Sequence, residues 1–235
     1  MTAFDAFGVA LDLPRTLAAS HYYGVYPAVV SDNQDPDSQG RVQVRLPWSP
    51  DAGDGAYEVW ARLATTMAGG GRGTWFIPEV GDEVLVGFQG GDPRWPYVIG
   101  ALWNGKDDPP ESMDADNNVR SIVSRSGIRI TLDDSDGAVT LTLETPGGQR
   151  VSMADAGSQI TIEDSNGNSC ELAPEGITIT AASKLTISAA TAEIEIGEVT
   201  VNSAIWNYSG VISCDSAIAT TVVGSTYMTG VGSLL

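Results

Sequence analysis

The second half of the chain, from about Val119 onward, is built of short segments in which apolar and polar residues alternate. Six segments have period two, at residues 128–132, 139–143, 160–163, 177–180, 185–188 and 194–196. Such alternation places the apolar side chains of a strand on one face and the polar side chains on the other. Strands this short cannot bury an apolar face alone, so they must stack on one another or on other copies of the chain. The pattern predicts an elongated, intertwined β-structured rod.

The composition is that of a folded protein with an acidic surface. Among 235 residues, 42% are hydrophobic, and 12 lysines and arginines accompany 30 aspartates and glutamates, so the net charge is −18. An acidic surface repels phosphate backbones, and nucleic acid is therefore not expected as a partner. No apolar run reaches the roughly 18 residues of a membrane-spanning helix. The first 20 residues lack the basic start of a signal peptide, so we expect assembly in the cytoplasm.

The first half of the chain also has the pattern of strands, at residues 22–30, 41–46, 57–64, 83–88 and 97–102. Five strands in fewer than a hundred residues fit a small five-stranded barrel of the oligonucleotide/oligosaccharide-binding (OB) type. The polar, proline-containing stretch that follows is typical of a linker. The predicted division is an N-terminal docking arm (1–20), a barrel (21–104), a linker or neck (105–118) and a strand-rich region (119–235).

Several motifs resemble the signature of the central spike proteins of contractile injection machines. In the barrel they are GVYPAVV (24–30), GRVQVRLPW (40–48), GDEVLVGF (81–88) and GDPRWPYVIG (91–100). Beyond it, SGIRITLDD (126–134) and TPGGQRV (145–151) resemble the neck and first turns of the same proteins. The family is that of the phage baseplate assembly protein V and the related valine-glycine repeat (VgrG) spikes of type VI secretion.

This resemblance implies an all-β homotrimer. Three OB-type barrels would form a collar, and the three 119–235 segments would wind into an intertwined β-helix, a needle shaped as a triangular prism. Three-fold closure buries the apolar face of each copy and removes open sheet edges. The implied function is that of a membrane-puncturing spike at the centre of a baseplate, in transient contact with the target membrane. It would be a component of a phage tail, a phage-tail-like particle or a type VI-like apparatus.

The resemblance also implies two partners. Larger spikes of this family carry an N-terminal hub platform for which this chain has no room, so a separate hub protein is expected. The residues predicted to bind the hub are Phe4, Phe7, Leu11 and Leu13. A tip protein of the proline-alanine-alanine-arginine (PAAR) type is expected to bind the small, apolar C-terminus. The predicted tip-binding residues are Tyr227, Met228, Gly230, Val231, Gly232, Leu234 and Leu235.

No catalytic residue, metal ligand or cofactor is predicted. The chain has no Gly-x-Ser-x-Gly motif, and His21 is its single histidine, at the opposite end from the apex where some family spikes bind iron. Asp-rich turns at 133–136 and 164–168 are interpreted as ordinary turns rather than calcium loops. Cys170 and Cys214 form no disulfide or metal pattern, and we expect each to pack as a small buried hydrophobic residue.

Two alternative functions belong to other classes. A monomeric β-helical carbohydrate-active protein would require a catalytic groove, and the Thr/Ser-rich surface offers none. An OB-fold nucleic-acid binder would use aromatic residues as a stacking platform. The candidates for that platform are Trp48, Trp60, Trp75, Phe76 and Phe88, which are equally suited to the barrel core or to contacts between copies.

Overall fold

The computed structural model describes residues 21–49 and 57–224. The chain divides into two compact units, of which the first ends at Lys184 and the second begins at Leu185. The first unit holds a barrel and a seven-stranded sheet, and the regular structure of its described residues is β apart from a short 3-10 helix, Gln89–Gly91. Among the described residues, no helix has the length and hydropathy needed to cross a bilayer.

The barrel is formed by five strands, as predicted. They are β1 (Val25–Asp32), β2 (Val42–Leu46), β3 (Tyr57–Leu63), β6 (Glu83–Phe88) and β7 (Pro96–Leu102). The barrel closes in the order β1-β2-β3-β7-β6. The β3–β7 pair is parallel and the other pairs are antiparallel. A two-stranded hairpin, β4 (Ala68–Gly69) and β5 (Arg72–Gly73), lies between β3 and β6.

Alternate residues of the barrel strands form its core. The fully or almost fully buried apolar residues are Ala28, Val30, Val42, Val44, Leu46, Ala61, Val84, Val86 and Val98. Because β-branched valines pack well on a pleated surface and have one preferred rotamer, they favour these strands locally and fill a narrow barrel. Each fully buried valine or leucine contributes roughly 1.5–3 kcal/mol relative to the exposed side chain.

The sheet is an antiparallel meander in which every strand pairs with its neighbours along the chain. Its strands are β8 (Val119–Val123), β9 (Arg129–Asp133), β10 (Thr140–Glu144), β11 (Arg150–Ala154), β12 (Gln159–Glu163), β13 (Ser169–Ala173) and β14 (Gly176–Thr180). The four alternating segments predicted between residues 128 and 180 all form strands. Their limits differ from the prediction by about one residue, as is usual for element ends.

In the second unit, two of the predicted strands do not form. Segments 185–188 and 194–196 are not strands, and residues 185–224 contain none. A strand is defined by hydrogen bonds to a neighbour, and a single copy supplies no neighbour to these segments. Their apolar side chains are correspondingly uncovered: Ile187 is 80% exposed and Ile194 is 74% exposed. For these two segments, alternation predicted strands that one copy does not form.

Candidate interface between copies of the chain

Strand pairing arranges the apolar residues of the sheet in two continuous rows on one face. Residues directly opposite one another in an antiparallel pair point to the same side of the sheet. The first row contains Ile122, Ile130, Leu143, Val151, Ile162, Cys170 and Ile179. The second row contains Leu132, Leu141, Met153, Ile160, Leu172 and Ile177. We call these two rows the apolar face.

The opposite face of the sheet is polar. Its central row contains Ser121, Thr131, Thr142, Ser152, Thr161, Glu171 and Thr178. A flanking row alternates in charge, because Glu144 lies opposite both Arg129 and Arg150, and Arg150 lies opposite Glu163. In this row Arg129 Nε lies 3.9 Å from Glu144 Oε1. Opposite charges favour this register, and a slip of one strand by one residue would move its apolar side chains to the polar face.

The apolar face is incompletely covered within one copy. Ile162 is 51% exposed, and at the last strand Ile177 and Ile179 reach 70% and 61%. A contiguous apolar surface of this extent is rare on a soluble monomer and marks a surface that packs against another molecule. A second copy of the chain offers a face with the same regular spacing of strands. The geometry therefore identifies the apolar face as a candidate interface between copies.

Stacked turns fix the spacing of the strands along one edge of the sheet. The turn glycines Gly127 and Gly148 have φ values of +86° and +82°, in the left-handed region that favours glycine. A Cβ atom at Gly148 would lie 3.1 Å from Ser165 Cβ, and one at Gly127 would lie 3.2 Å from Pro146 Cγ. Each glycine thus allows one turn to pack closely on the next, which keeps the apolar rows in line.

The next turn in this column is closed by Asp164. Its Oδ1 accepts hydrogen bonds from the backbone N–H groups of Asn166 and Asn168, at 2.8 and 2.9 Å, and its Oδ2 accepts one from Asn168 Nδ2 at 2.7 Å. These donors, the Asn168 side chain first, hold the pKa of Asp164 well below its usual range. Asn168 Oδ1 in turn accepts from the Ala182 N–H at 2.9 Å. The arrangement explains this Asp-rich segment as a turn, and it anchors the chain just before the first unit ends.

Two arginines of the sheet region form ion pairs with earlier parts of the chain, one with the barrel and one with the neck. Arg125, in the turn between β8 and β9, places Nη1 3.0 Å from Oε1 of Glu79 in the barrel. Arg129 donates to Glu111 in the predicted neck. Both pairs are partly exposed, so we expect them to orient the neck more than to stabilise it.

Within the barrel, Asp35 organises the loop between β1 and β2. Its carboxylate accepts hydrogen bonds from the backbone N–H groups of Asp37, Gln39 and Arg41. It also forms a 2.7 Å ion pair with Nη2 of Arg41, and its side chain is almost fully buried. The Arg41 guanidinium is the main reason that the pKa of Asp35 lies well below its ordinary value. The loop is therefore a fixed part of the barrel.

The aromatic residues proposed for a stacking platform are divided between three places. Trp48 and Phe88 pack with Tyr22 and Tyr26 at one end of the barrel, and Trp48 Nε1 donates to a carbonyl of β1 at 2.6 Å. Trp75, by contrast, is 75% exposed. It lines an open groove together with Phe76 and Ile99. Trp60 lies under the Arg41 guanidinium, at 5.7 Å from ring centroid to Cζ. The structure thus does not gather the five aromatics into one platform.

The predicted partner-binding residues lie outside the described residues. This applies to the hub-binding Phe4, Phe7, Leu11 and Leu13, and to the tip-binding Tyr227, Met228, Gly230, Val231, Gly232, Leu234 and Leu235. His21 is described, and its ring stacks on Tyr23 with centroids 5.7 Å apart.

Sequence reasoning missed the charged row of the polar face and the Asp35–Arg41 pair. The signal for the charged row was available, because Arg129, Glu144, Arg150 and Glu163 each stand at a strand end beside a turn. Only the pairing register shows that they alternate in sign across the sheet.

Two protein-family models match the chain. Residues 26–103 match the type VI secretion system/phage-baseplate injector OB domain. Residues 140–205 match the phage baseplate V C-terminal trimerisation domain. The first match coincides with the barrel. The second begins at β10 and covers most of the apolar face, so the surface identified from its geometry lies largely within the matched trimerisation domain.

The curated relatives include type VI secretion system spike proteins. The type VI secretion system spike protein VgrG4b of Pseudomonas aeruginosa is 33% identical over 132 residues, which are 56% of this chain and 13% of the relative. VgrG3 of Vibrio cholerae, also a type VI secretion system spike protein, is 35% identical over 78 residues, 33% of this chain and 8% of the relative. The actin cross-linking toxin VgrG1 of V. cholerae is 33% identical over 78 residues, which are 33% of this chain and 7% of the relative. The chain thus spans a small fraction of each of these proteins.

An OB-type barrel followed by a trimerisation domain defines the class of injection-system spike proteins. The chain belongs to the phage baseplate V and VgrG-type spike family.

Proposed function

We propose that three copies of this chain form the central spike of a contractile injection system. The observation that carries this proposal is the apolar face, which is partly exposed in one copy and lies largely within the matched trimerisation domain. Three copies around one axis bury this face against one another, at roughly 25 cal/mol for each Å² removed from water. Three-fold closure also leaves no open strand edge to recruit further chains.

In this proposal each part of the chain has a mechanical role. The barrel (21–104) forms the collar, residues 105–118 form the neck, and residues 119–235 form the needle. The contacts of Arg125 with Glu79 and of Arg129 with Glu111 support a collar that is oriented on the needle. The N-terminal arm (1–20) binds a separate hub protein, and the C-terminal residues bind a PAAR-type tip protein.

The spike acts mechanically rather than as an enzyme. Contraction of the machine drives the needle into the target envelope, with which it makes transient contact. Strands shared between three chains must separate together, and this slows unfolding under force. The toxin match assigns no toxin activity, because it covers only 7% of that protein. We place assembly in the cytoplasm and the finished spike in a phage tail or a related contractile particle. The alternative functions, a monomeric carbohydrate-active protein and a nucleic-acid binder, are not supported by the matches.

Electron microscopy of the purified protein tests this proposal. We expect a thin rod with a wider collar and three-fold end views. A compact particle with the volume of one chain would overturn the proposal.

A second experiment tests the two partners separately. A chain ending at residue 224 is expected to retain the trimer but lose binding to its PAAR-type tip protein, and a chain starting at residue 21 is expected to lose hub binding. Unchanged binding by either truncated chain would contradict the corresponding partner assignment.

A further inference from the structure

The groove beside the β4–β5 hairpin presents two neighbouring aromatic side chains to water. Trp75 is 75% exposed and Phe76 is 71% exposed, and Met67 and Ile99, which also line the groove, are each about half exposed. An aromatic side chain has roughly 150–250 Å² to bury, so these two rings alone leave about 200 Å² or more of apolar surface open. A contiguous patch of this kind marks a site that binds another molecule or segment. We call this surface the aromatic groove.

Arg72 adds a positive charge to the aromatic groove. Among the described residues that line the groove, it is the only charged one. Its guanidinium lies close to Gly69 of the facing strand, where an added Cβ atom would be 2.9 Å from Cζ. No ion pair between described residues includes Arg72. The groove, which has a volume of about 1040 Å³, therefore offers apolar walls and one cation to an occupant.

The N-terminal arm (1–20) has the complementary chemistry. Its large apolar residues stand beside acids, because Asp5 follows Phe4 and Asp12 lies between two leucines. In a chain with a net charge of −18, most of the surface repels such acidic residues. The arginine of the aromatic groove attracts them, and the aromatic rings beside it offer contacts to phenylalanine and leucine side chains.

The aromatic groove lies within reach of the arm. The backbone N–H of Tyr22 donates to the carbonyl of Gly91 at 2.6 Å, and Gly91 precedes the groove residue Ile99 by eight positions. At about 3.3–3.6 Å per residue, eight positions span at most about 29 Å, whereas the seventeen positions from Phe4 to His21 span up to about 60 Å. Attachment to the same chain also gives the arm an effective concentration on the order of millimolar, which favours it over a separate partner.

We infer that the arm of each copy docks in the aromatic groove of the same copy, with its apolar residues on Trp75 and Phe76 and its acids facing Arg72. Docking covers the two exposed rings before the spike meets its partners. The arm residues proposed to bind the hub are then held on the barrel, and the hub draws them from the groove during assembly. Only that last step rests on the proposed hub; the docking itself is a contact within one copy and is independent of the proposed trimer.

Hydroxyl-radical footprinting of the purified full-length protein, without a hub, tests this inference. The oxidation of each side chain is quantified by mass spectrometry of its peptide. Trp95, which is 61% exposed and does not line the groove, is the internal reference. The test variant is Phe4→Ser/Phe7→Ser, and the matched control Ala6→Ser/Ala10→Ser introduces two serines at small residues of the same arm.

We expect Trp75 to be oxidised at least about threefold faster in the test variant than in the native chain or the control, because a covered ring reacts only when the arm opens. Trp95 should react at the same rate in all three proteins. Arg72→Glu should also speed the oxidation of Trp75, whereas Arg72→Lys, which keeps the charge, should not. Equal rates in these two variants would contradict the assignment of Arg72 to the acids of the arm.

A chain starting at residue 21 separates the remaining outcomes. If Trp75 is oxidised as fast as Trp95 in the native full-length chain, the aromatic groove is open and the inference is overturned. If Trp75 is protected both in the full-length chain and in the chain starting at residue 21, another copy covers the groove and the inference is again overturned. Protection that is lost only when residues 1–20 are removed supports docking of the arm. The mass of the same samples in solution reports on the trimer separately, so the two proposals fail distinguishably.

Discussion

Replacement of Ile162 by alanine is expected to weaken the trimer strongly. Ile162 lies near the middle of the apolar face, opposite Val151 and Cys170, and is 51% exposed in one copy. Full burial of an isoleucine contributes about 1.5–3 kcal/mol, so the half that other copies cover contributes about 1 kcal/mol. The three-fold axis repeats this loss three times, so each trimer loses about 3 kcal/mol. This loss lowers the association constant of the trimer on the order of a hundredfold.

The matched control for this variant is Thr161→Ala, one residue earlier on the polar face of the same strand. Light scattering over a dilution series in moderate urea measures the fraction of trimer for each variant. We expect the Ile162 variant to dissociate at much higher protein concentration than the wild type, and the Thr161 variant to behave like the wild type. Equal shifts for the two variants would refute the assignment of the faces.

Further predictions concern the turns and the barrel. Gly148→Ala is expected to lower the melting temperature more than Gly157→Ala: both positions have positive φ, but only a Cβ at Gly148 meets a neighbouring turn. In urea unfolding, Trp48→Phe should lower barrel stability by about 0.5–1.5 kcal/mol through loss of the hydrogen bond from its indole N–H. Asp35→Asn should destabilise the barrel at pH 7. Arg41 lowers the pKa of Asp35 in the folded state. The ionised carboxylate therefore stabilises the folded barrel at pH values above its unfolded-state pKa, near 4. This contribution is lost progressively as the pH falls below that value. The variant and wild type should therefore converge in acid, and a constant difference from pH 7 to pH 2 would contradict this cause.

The barrel was predictable because its strands carry strong local signals. Val42, Val44 and Leu46 alternate with polar residues, and Val84 and Val86 lie in a short apolar run with Leu85, so both strands were placed correctly. The β4–β5 hairpin was not predicted. Its strands consist of Ala68, Gly69, Arg72 and Gly73, which carry no apolar alternation. Hydrogen bonds of Thr74 with Met67 and Thr65 at its base help to hold the hairpin.

The limits of prediction differ for the two parts of the second half. Alternation located β9, β10, β12 and β14, but the rows depend on which residues face one another, and turn lengths set that register. Thus the position of Cys170 opposite Ile162 and Ile179 follows from the structure and not from the sequence pattern. For residues 185–196 the pattern was read as strands, yet a strand requires a partner that one copy does not provide. The predicted arm and tip residues lie outside the described residues and stay predictions.

The mass of the native protein in solution tests the central claim most directly. Sedimentation equilibrium is expected to give three times the 24.6 kDa of one chain, about 74 kDa. The measured mass should stay constant over a wide range of protein concentration, because separation of intertwined strands is slow. A stable species near the mass of one chain, with Ile162 and Ile179 exposed to water, would contradict the account.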